Sequence, residues 1–345
     1  MATRTRRSIR LPWLRTRTAR PDDVPETRPS EPVKLFVQIP CLNEENTLAS
    51  VIDSIPREID GIDEIEILVI NDGSTDRTVE VAKEHGVKHF VHHTTNMGLA
   101  RSFRDGVDYA LLHGADIVVN TDGDNQYPQA QIAELVQPIL RKEAEIVIGD
   151  RQTRTIEHFS GFKKAMQRFG SWVASRAAGL DLPDAASGFR AYSKYSLIRL
   201  NIVTRFSYCM ETIVQAGYKR LAIASVPITT NPKTRESRLF NNIFQHMFES
   251  GSAIARVYLM YRPMALFLWV AAVLGALGLW PLIRYLVLLA MHTGGNHLQS
   301  IILGVVLLIT ALLSIVIGVV ADLTRLNRTL AEEQLDLQKL QRYGD

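Results

Sequence analysis

Two carboxylates follow a short apolar run near the middle of the chain, and this pairing limits the folds that fit. The stretch is Ile117-Val-Val-Asn-Thr-Asp-Gly-Asp-Asn-Gln126, and its first four residues predict a buried strand. In an open parallel α/β sheet, ligands bind at the carboxyl ends of the strands. Alternation along an extended chain sends Asp122, Asp124 and Gln126 the same way, so we expect their oxygens to hold one Mg²⁺ or Mn²⁺ ion. An acidic turn is the alternative.

The segment from Val33 to Ile148 alternates short apolar runs with runs of helical periodicity. This order predicts an α/β fold, Rossmann-like, with a mainly parallel sheet and helices on both faces. The predicted strands are Val33 to Ile39, Ile65 to Ile70, Lys88 to Val91, Ile117 to Asn120 and Glu145 to Ile148. The best-defined predicted helices are Gly98 to Leu112 and Pro128 to Leu140.

Polar loops follow three of the predicted strands. They span Pro40 to Asn46, Asn71 to Asp76 and Asp122 to Gln126, so we expect them to meet at one edge of the sheet. Ionised Glu44 and Asp72 only accept hydrogen bonds, which suits a ribose hydroxyl or a base N–H. Helix caps or satisfied turn residues are the alternative. No G-x-G-x-x-G or G-K-[ST] loop occurs, which argues against dinucleotide oxidoreductases and P-loop enzymes.

The first 32 residues form a basic arm. Residues 1–20 hold seven arginines and no acid, although the whole chain has a net charge of only +3. The arm has no apolar run of the kind that a signal peptide needs. It is predicted either to lie on anionic lipid or to be a disordered basic tail. Cys41 and Cys209 are too few for a disulfide framework, which favours a reducing compartment.

Two long uncharged segments occupy the last third of the chain. Met264 to Ile283 and Ile301 to Ala321 contain 20 and 21 residues without a charge, long enough to cross about 30 Å of hydrocarbon. The link between them is short, so they predict a transmembrane hairpin whose arginine-bearing flanks both lie in the cytoplasm. A buried hairpin in a soluble protein is the alternative. Apolar residues at helical spacing from Leu239 to Phe248 predict a helix in the membrane interface.

These patterns divide the chain into five parts. Residues 1–32 are the arm, 33–235 the α/β domain, 236–262 an amphipathic juxtamembrane helix, 263–322 two transmembrane helices, and 323–345 a cytoplasmic helical tail. Leucines among the charges of the tail predict a helix that joins subunits into a homo-oligomer. We predict a multi-pass protein of the plasma membrane that contacts the lipid bilayer and does not bind nucleic acid.

An ordered set of motifs resembles family 2 glycosyltransferases of GT-A fold, within them the polyprenyl-phosphate glycosyltransferases. The match covers about residues 33 to 240. Its motifs are Pro40-x-Leu-Asn-Glu-Glu-Asn, Asn71-Asp-Gly-Ser-Thr-Asp, Asn96-x-Gly, Asp122-Gly-Asp with Gln126, Gly149-Asp-Arg151 and Ser187-Gly-Phe-Arg190. Many relatives carry Tyr where Leu42 stands and Lys where Arg238 stands. Leu42 in place of Tyr changes the residue expected to stack on the base, and so affects which nucleotide is bound. Arg238 in place of Lys keeps the positive charge but changes the arrangement of its N–H donors.

The resemblance implies roles for individual residues. The nucleotide pocket would be lined by Pro40, Leu42, Glu44 and Asp72. The metal and the donor diphosphate would be held by Asp122, Gly123, Asp124 and Gln126. Phosphates would be faced by Arg151, Arg190 and Arg238. The remaining substrate-binding candidates are Ser187, Glu211 and Arg235. A structural ion pair is the alternative for Glu211, and a solvated surface cation is the alternative for each arginine.

The chemistry of the implied reaction suits this set of residues. Loss of a nucleoside diphosphate develops negative charge that a divalent ion stabilises. A polyprenyl phosphate needs no general base, because with a second pKa of about 6 it is largely dianionic at neutral pH. It needs cations to position it, for which Arg151, Arg190, Lys233, Arg235 and Arg238 are candidates.

The sequence therefore predicts an inverting, metal-dependent transfer of one hexose from a UDP- or GDP-sugar to polyprenyl phosphate at the cytoplasmic membrane face. A processive polysaccharide synthase is one alternative, although such enzymes normally have more spans and a Gln-x-x-Arg-Trp motif that Gln167 to Trp172 lacks. A non-catalytic membrane protein with a degenerate transferase domain is the other.

Overall fold

The computed structural model describes residues 32–152, 184–202, 208–231, 263–291 and 298–343. The chain divides into two units, Met1–Pro32 and Val33–Asp345. The basic arm, the predicted juxtamembrane helix at 236–262 and the candidates Lys233, Arg235 and Arg238 lie outside the described residues.

The centre of the fold is a seven-stranded sheet. The strands are β1 (Lys34–Cys41), β2 (Glu64–Asn71), β3 (His89–His92), β4 (Ile117–Asn120), β5 (Ile146–Asp150), β6 (Arg190–Ser193) and β7 (Ile223–Pro227). They lie in the order β3-β2-β1-β4-β6-β5-β7. Every neighbouring pair is parallel except the two that β6 makes. The predicted mainly parallel sheet is confirmed, and each end of the five strands predicted before residue 150 lies within two residues of the observed end.

Helices cover both faces of this sheet. They are α1 (Leu48–Asp53), α2 (Thr78–Glu84), α3 (Leu99–Leu112), α4 (Ile132–Leu140), α5 (Lys194–Arg199) and α6 (Tyr208–Tyr218). Successive side chains of a strand point to opposite faces. Phe36 of β1 therefore joins the core on the α3 side, while Leu35 and Val37 join the core on the α1 and α4 side. Burial on both faces explains why the strands are nearly continuous apolar runs.

Strand β6 runs against the direction of its neighbours. It lies between β4 and β5, with Asn120 of β4 opposite Arg190 and Ile117 opposite Ser193. An antiparallel strand begins where its parallel neighbours end. The residues that lead into β6, from Asp184 onward, therefore lie at the same sheet edge as the acidic loop after β4.

Two long apolar helices follow the sheet domain. Helix α7 (Pro263–Ala290) and helix α8 (Leu298–Tyr343) are both long and apolar enough to cross a membrane, by length and composition. They pack closely where Gly278 faces Gly304, since a methyl on either glycine would come within 2.9 Å of the other residue's carbonyl oxygen. Small residues allow such close approach of helix backbones.

The tail differs from the sequence expectation. It is not a separate helix, because α8 continues unbroken from the second apolar segment to Tyr343. Tyr343 is buried in the same core cluster as Phe103 of α3. Leu323, Leu326, Leu330 and Leu337, which suggested a joint between subunits, are exposed. The homo-oligomer stays a prediction.

Replacing Gly278 with leucine should separate the two apolar helices. Its Cβ would meet Gly304 O at 2.9 Å and Leu307 Cβ at 3.1 Å, and overpacking of this kind costs roughly 1–3 kcal/mol. Thermal unfolding of the purified protein in detergent measures the effect. Gly275→Leu, on the same helix, is the matched control because its Cβ would meet nothing within 4 Å. Equal unfolding temperatures for the two variants would contradict the packing described here.

Candidate active site

The acidic loop leaves the sheet at the end of β4. Asp122 and Asp124 do converge, but not by the alternation that the sequence suggested, because the strand ends at Asn120 and the loop turns at Gly123 and Asp124. Asn125 adopts a positive φ of 59°, a conformation that asparagine tolerates well in turns. Gln126 closes the turn by donating from its backbone N to Asp124 Oδ1 (3.2 Å) and from Nε2 to Asp124 Oδ2 (2.7 Å).

The loop carries an excess of negative charge in a poorly solvated place. Burial, the charge of Asp124 and the charge of Glu44 raise the pKa of Asp122 to about 7, although Arg151 opposes the shift. A divalent cation would relieve this repulsion, and the donors are the carboxylate oxygens that Mg²⁺ and Mn²⁺ prefer. Within the described ranges no cluster of three or more His, Cys, Asp or Glu side chains could hold a metal. Two carboxylates fill only part of a coordination shell, which fits an ion that takes its other ligands from water and diphosphate oxygens.

The loop after β1 is fastened to the acidic loop. Thr47 Oγ1 donates to the Gly123 carbonyl oxygen at 2.7 Å and lies 3.1 Å from Glu44 Oε2. Glu44 is buried, and a Cβ on Gly123 would come within 3.2 Å of Glu44 Cγ and of Cys41 Sγ. A side chain at position 123 would therefore force Glu44 or Cys41 to shift by a few tenths of an ångström. Pro40 is the last but one residue of β1 at the same edge, and the partly exposed Leu42 follows the strand.

Asp72 lies at the end of β2 and is buried. Its Oδ1 accepts from His93 Nδ1 (2.7 Å) and Met97 N (2.8 Å), and its Oδ2 accepts from Gly98 N (2.9 Å). The carboxylate thus holds the loop that enters α3. The role of Asp72 in a nucleotide pocket stays a prediction, as do those of Pro40 and Leu42.

Arg151 pairs with a residue that the sequence did not single out. Its Nε and Nη2 donate to Asp184 Oδ2 and Oδ1 at 2.7 and 2.9 Å, and Asp184 is 2% exposed. Burial alone would raise the pKa of Asp184, but the hydrogen bonds and charge of Arg151 hold it below its usual range. Arg151 is close enough to Asp122 to lower its pKa. The structure therefore places this predicted phosphate-facing arginine beside the acidic pair.

Arg190 is not where the sequence suggested, and its prediction as a phosphate-facing residue is corrected. Its side chain is fully buried, and its guanidinium donates to Ser187 O, Ala185 O, Cys209 O and Thr212 Oγ1 at 2.7 to 3.0 Å. These bonds tie the segment before β6 to helix α6. The arginine of the motif Ser187-Gly-Phe-Arg190 therefore belongs to the core. The motif contributes to the site through its backbone.

A buried polar network places Gly188 beside the acidic loop. Asn120 Nδ2 donates to Gly188 O (3.1 Å) and to Tyr208 Oη (2.8 Å), and Gly188 N donates to Tyr127 Oη (3.0 Å). A Cβ on Gly188 would lie 3.5 Å from Asp122 Oδ2. Sequence reasoning missed Asn120, Tyr127 and Tyr208. A polar residue closing an otherwise apolar strand is the signal that could have identified Asn120.

The other candidates lie around this centre. Ser187 is buried and accepts from Arg190 through its carbonyl oxygen. Glu211 is buried in α6, where Gln215 Nε2 donates to it at 3.4 Å. Asn231 donates from Nδ2 to Asn125 O at 3.0 Å, so Asn231 lies beside the acidic loop. The substrate-binding roles of Ser187 and Glu211 stay predictions.

Replacing Arg190 with lysine should mainly lower the stability of the domain. Any change in substrate affinity should follow from that loss of stability. Lysine cannot reach all four acceptors, and each buried acceptor left unpaired costs roughly 1–3 kcal/mol. Chemical unfolding followed by circular dichroism measures the loss. Arg141→Lys, at an exposed arginine paired with Glu143, is the control and should change stability by no more than about 0.5 kcal/mol. Wild-type stability of Arg190→Lys with weakened phosphate binding would restore the original prediction.

Comparison with known proteins identifies the family. The model for "Glycosyl transferase family 2" matches residues 36–200. An uncharacterized protein of Methanocaldococcus jannaschii is 30% identical over 203 residues, which are 57% of this chain and 81% of the relative. A UDP-N-acetylglucosamine–dolichyl-phosphate N-acetylglucosaminyltransferase of Methanococcus voltae is 27% identical and covers 57% of this chain and 85% of its own. A polyprenol monophosphomannose synthase of Mycolicibacterium smegmatis is 25% identical, with 66% and 89% covered.

Solved structures agree on the fold. Glucosyl-3-phosphoglycerate synthase of Mycobacterium tuberculosis, crystallised with Mn²⁺, UDP-glucose and phosphoglyceric acid, superposes with a TM-score of 0.51 at 24% identity, covering 66% of this chain and 79% of its own. At this identity the likeness speaks for the fold alone. The sheet order, the acidic loop at the end of β4 and the sequence relatives confirm the predicted resemblance. The chain belongs to glycosyl transferase family 2 and is a glycosyltransferase of GT-A fold.

Proposed function

We propose that this glycosyltransferase moves one hexose-type sugar from a UDP- or GDP-sugar to polyprenyl phosphate at a membrane surface. The observation that carries the proposal is the acidic pair Asp122 and Asp124 with Arg151 beside it, in a chain that also carries two helices apolar enough to cross a bilayer. Relatives named for transfer to dolichyl phosphate and for polyprenol monophosphomannose synthesis support the choice of acceptor.

The donor would lie over the edge formed by β1, β2 and β4. Asp122 and Asp124 are proposed to hold Mg²⁺ or Mn²⁺ against the diphosphate, with Gln126 keeping Asp124 in place. A bound ion of this kind supplies Lewis-acid stabilisation of the departing nucleoside diphosphate. Glu44 and Asp72 are proposed to face the nucleoside.

The acceptor phosphate would approach from the side of Arg151. Its pair with Asp184 uses two of the five N–H donors of the guanidinium, and the remaining donors can orient a phosphate oxygen towards the anomeric carbon. A bond forms from that oxygen to the anomeric carbon while the bond to the nucleoside diphosphate breaks, and the electron pair leaves with the diphosphate. One such displacement inverts the anomeric configuration. No proton moves, because the acceptor is already a dianion at neutral pH.

The apolar hairpin completes the proposal. We propose that α7 and α8 span the membrane and that both of their outer flanks lie in the cytoplasm, where Arg325 and Arg328 follow the second apolar segment. A catalytic domain held there meets a soluble nucleotide sugar on one side and a lipid phosphate on the other. The plasma membrane is the proposed location.

Sugar transfer into the organic phase tests the function directly. Purified protein in detergent is incubated with polyprenyl phosphate, Mg²⁺ or Mn²⁺ and a panel of labelled UDP- and GDP-sugars. We expect label in the lipid fraction with one donor. Polymer formed from the donor without lipid would instead identify a polysaccharide synthase. Absence of any metal-dependent donor binding by calorimetry would identify a non-catalytic protein.

Replacing Asp124 with asparagine should remove one charged ligand of the metal. We expect the transfer rate to fall by at least roughly 100-fold, because metal stabilisation of the leaving group is worth several kcal/mol and each tenfold corresponds to about 1.4 kcal/mol. Mn²⁺-dependent binding of UDP or GDP should weaken in parallel. Glu143→Gln is the control, since Glu143 precedes β5 and so lies at the opposite edge of the sheet. Turnover of Asp124→Asn at the wild-type rate would refute the metal assignment.

A further inference from the structure

The part of α8 beyond its apolar segment lies against the catalytic domain. Asp336 accepts from Lys219 Nζ and from Asn201 Nδ2, both at 2.8 Å. Lys339 Nζ donates to Leu200 O at 2.8 Å. Tyr343 Oη donates to Asp108 Oδ1 of α3 at 3.3 Å. We call these contacts of Asp336, Lys339 and Tyr343 the tail contact.

The tail contact is more than an exposed ion pair. The side chains of Lys219 and Asp336 are 15% and 17% exposed, and Lys219 Nζ also donates to Arg199 O at 2.5 Å. Burial lowers the pKa of Lys339, although the charges of Asp108 and Asp336 oppose the shift. Exposed ion pairs add little to stability. A pair that is shielded from solvent and makes further hydrogen bonds holds its groups in one geometry.

Helix α6 joins the tail contact to the candidate active site. Lys219 follows the carboxyl end of α6, while Tyr208 at its amino end bonds to Asn120 and Gly188 beside the acidic loop. Cys209 O and Thr212 Oγ1 in its first turns hold the buried Arg190. Eleven helical residues span about 16 Å. A short rigid element thus lies between the tail and the residues that surround Asp122.

Helix α8 also connects the tail contact to the apolar hairpin without a break. It runs from Leu298 to Tyr343, 46 residues, which corresponds to about 69 Å of helix. Arg325 Nη1 donates to Tyr218 Oη at 3.4 Å at the end of α6. The helix therefore meets the catalytic domain soon after its apolar segment ends and stays with it to Tyr343.

We propose that the Lys219–Asp336 pair positions the active site relative to the bilayer, and that these two residues are positioning residues for the lipid acceptor. The inference rests on the proposed function. The phosphate of a membrane-embedded lipid stays close to the bilayer surface. The reacting atoms therefore meet only if the active site is held at the corresponding distance from that surface and in the right orientation. A small displacement of such groups has a large effect on rate.

Charge reversal at the pair tests the inference. The variants are Lys219→Asp, Asp336→Lys and the exchange of both, and Glu333→Lys is the matched control because it makes the same charge change at an exposed position of the same helix. Initial rates are measured with a long-chain polyprenyl phosphate in liposomes and with a short, water-soluble isoprenoid phosphate. We expect each single variant to lose roughly tenfold in kcat/KM for the liposomal acceptor, within the range of interdomain couplings, and to keep its rate with the soluble one.

The exchanged variant should recover part of the loss, and Glu333→Lys should behave as wild type. Equal losses with both acceptors would mean general structural damage and would overturn the inference, as would wild-type rates with the liposomal acceptor. Donor KM should not change in any variant.

Hydrogen exchange keeps this test separate from the proposed function. If the tail contact holds the carboxyl end of α6 in place, Asp336→Lys should lose amide protection in 215–218 and in 325–343, whereas Glu333→Lys should not. Unchanged protection would overturn the inference whatever the activity. If the wild-type protein transfers sugar to neither acceptor, the proposed function fails, and the exchange result still decides whether the tail positions α6.

Discussion

The antiparallel strand β6 is the constraint on which the rest of this structure depends. Only a strand that reverses direction can begin at the edge where β4 ends, and this places Gly188 so near Asp122 that a Cβ on it would lie 3.5 Å from Asp122 Oδ2. The insertion is stabilised from inside by Arg190, whose four bonds join the segment before β6 to helix α6. A buried guanidinium is costly unless every donor has a partner, so this residue also selects a single arrangement of the segment.

The charges at the sheet edge follow from that arrangement. Asp122, Asp124 and Glu44 come together where solvent is scarce, and the only relief that the described residues supply at Asp122 is the charge of Arg151. The proposed binding of a cation would be favoured at such a site, because the fold has already brought its carboxylates together. In the proposed reaction, the same cation would neutralise both the acidic pair and the leaving diphosphate.

Much of the sheet and of the candidate site could be predicted from the sequence, because the strands are apolar runs and the polar loops follow them directly. Asp122, Asp124, Glu44 and Asp72 were expected at one edge, and the topology of β1, β2 and β4 brings them there. Arg190 could not be placed, because its role depends on carbonyl groups of α6 that are distant in sequence. Asp184 was missed for the same reason. The unbroken course of α8 was also unexpected, because the change from apolar to charged residues at Asp322 resembles a boundary.

The bidentate pair of Arg151 and Asp184 has a consequence for how such a chain can diversify. These two residues stand on either side of residues 153–183 in the sequence, and their side chains meet at 2.7 Å. A segment whose two ends are clamped together can change in length and composition without displacing the strands that precede and follow it. The Arg151–Asp184 pair thus fixes the carboxyl end of β5 to the start of the segment that leads into β6, whatever the chain between these two residues contains.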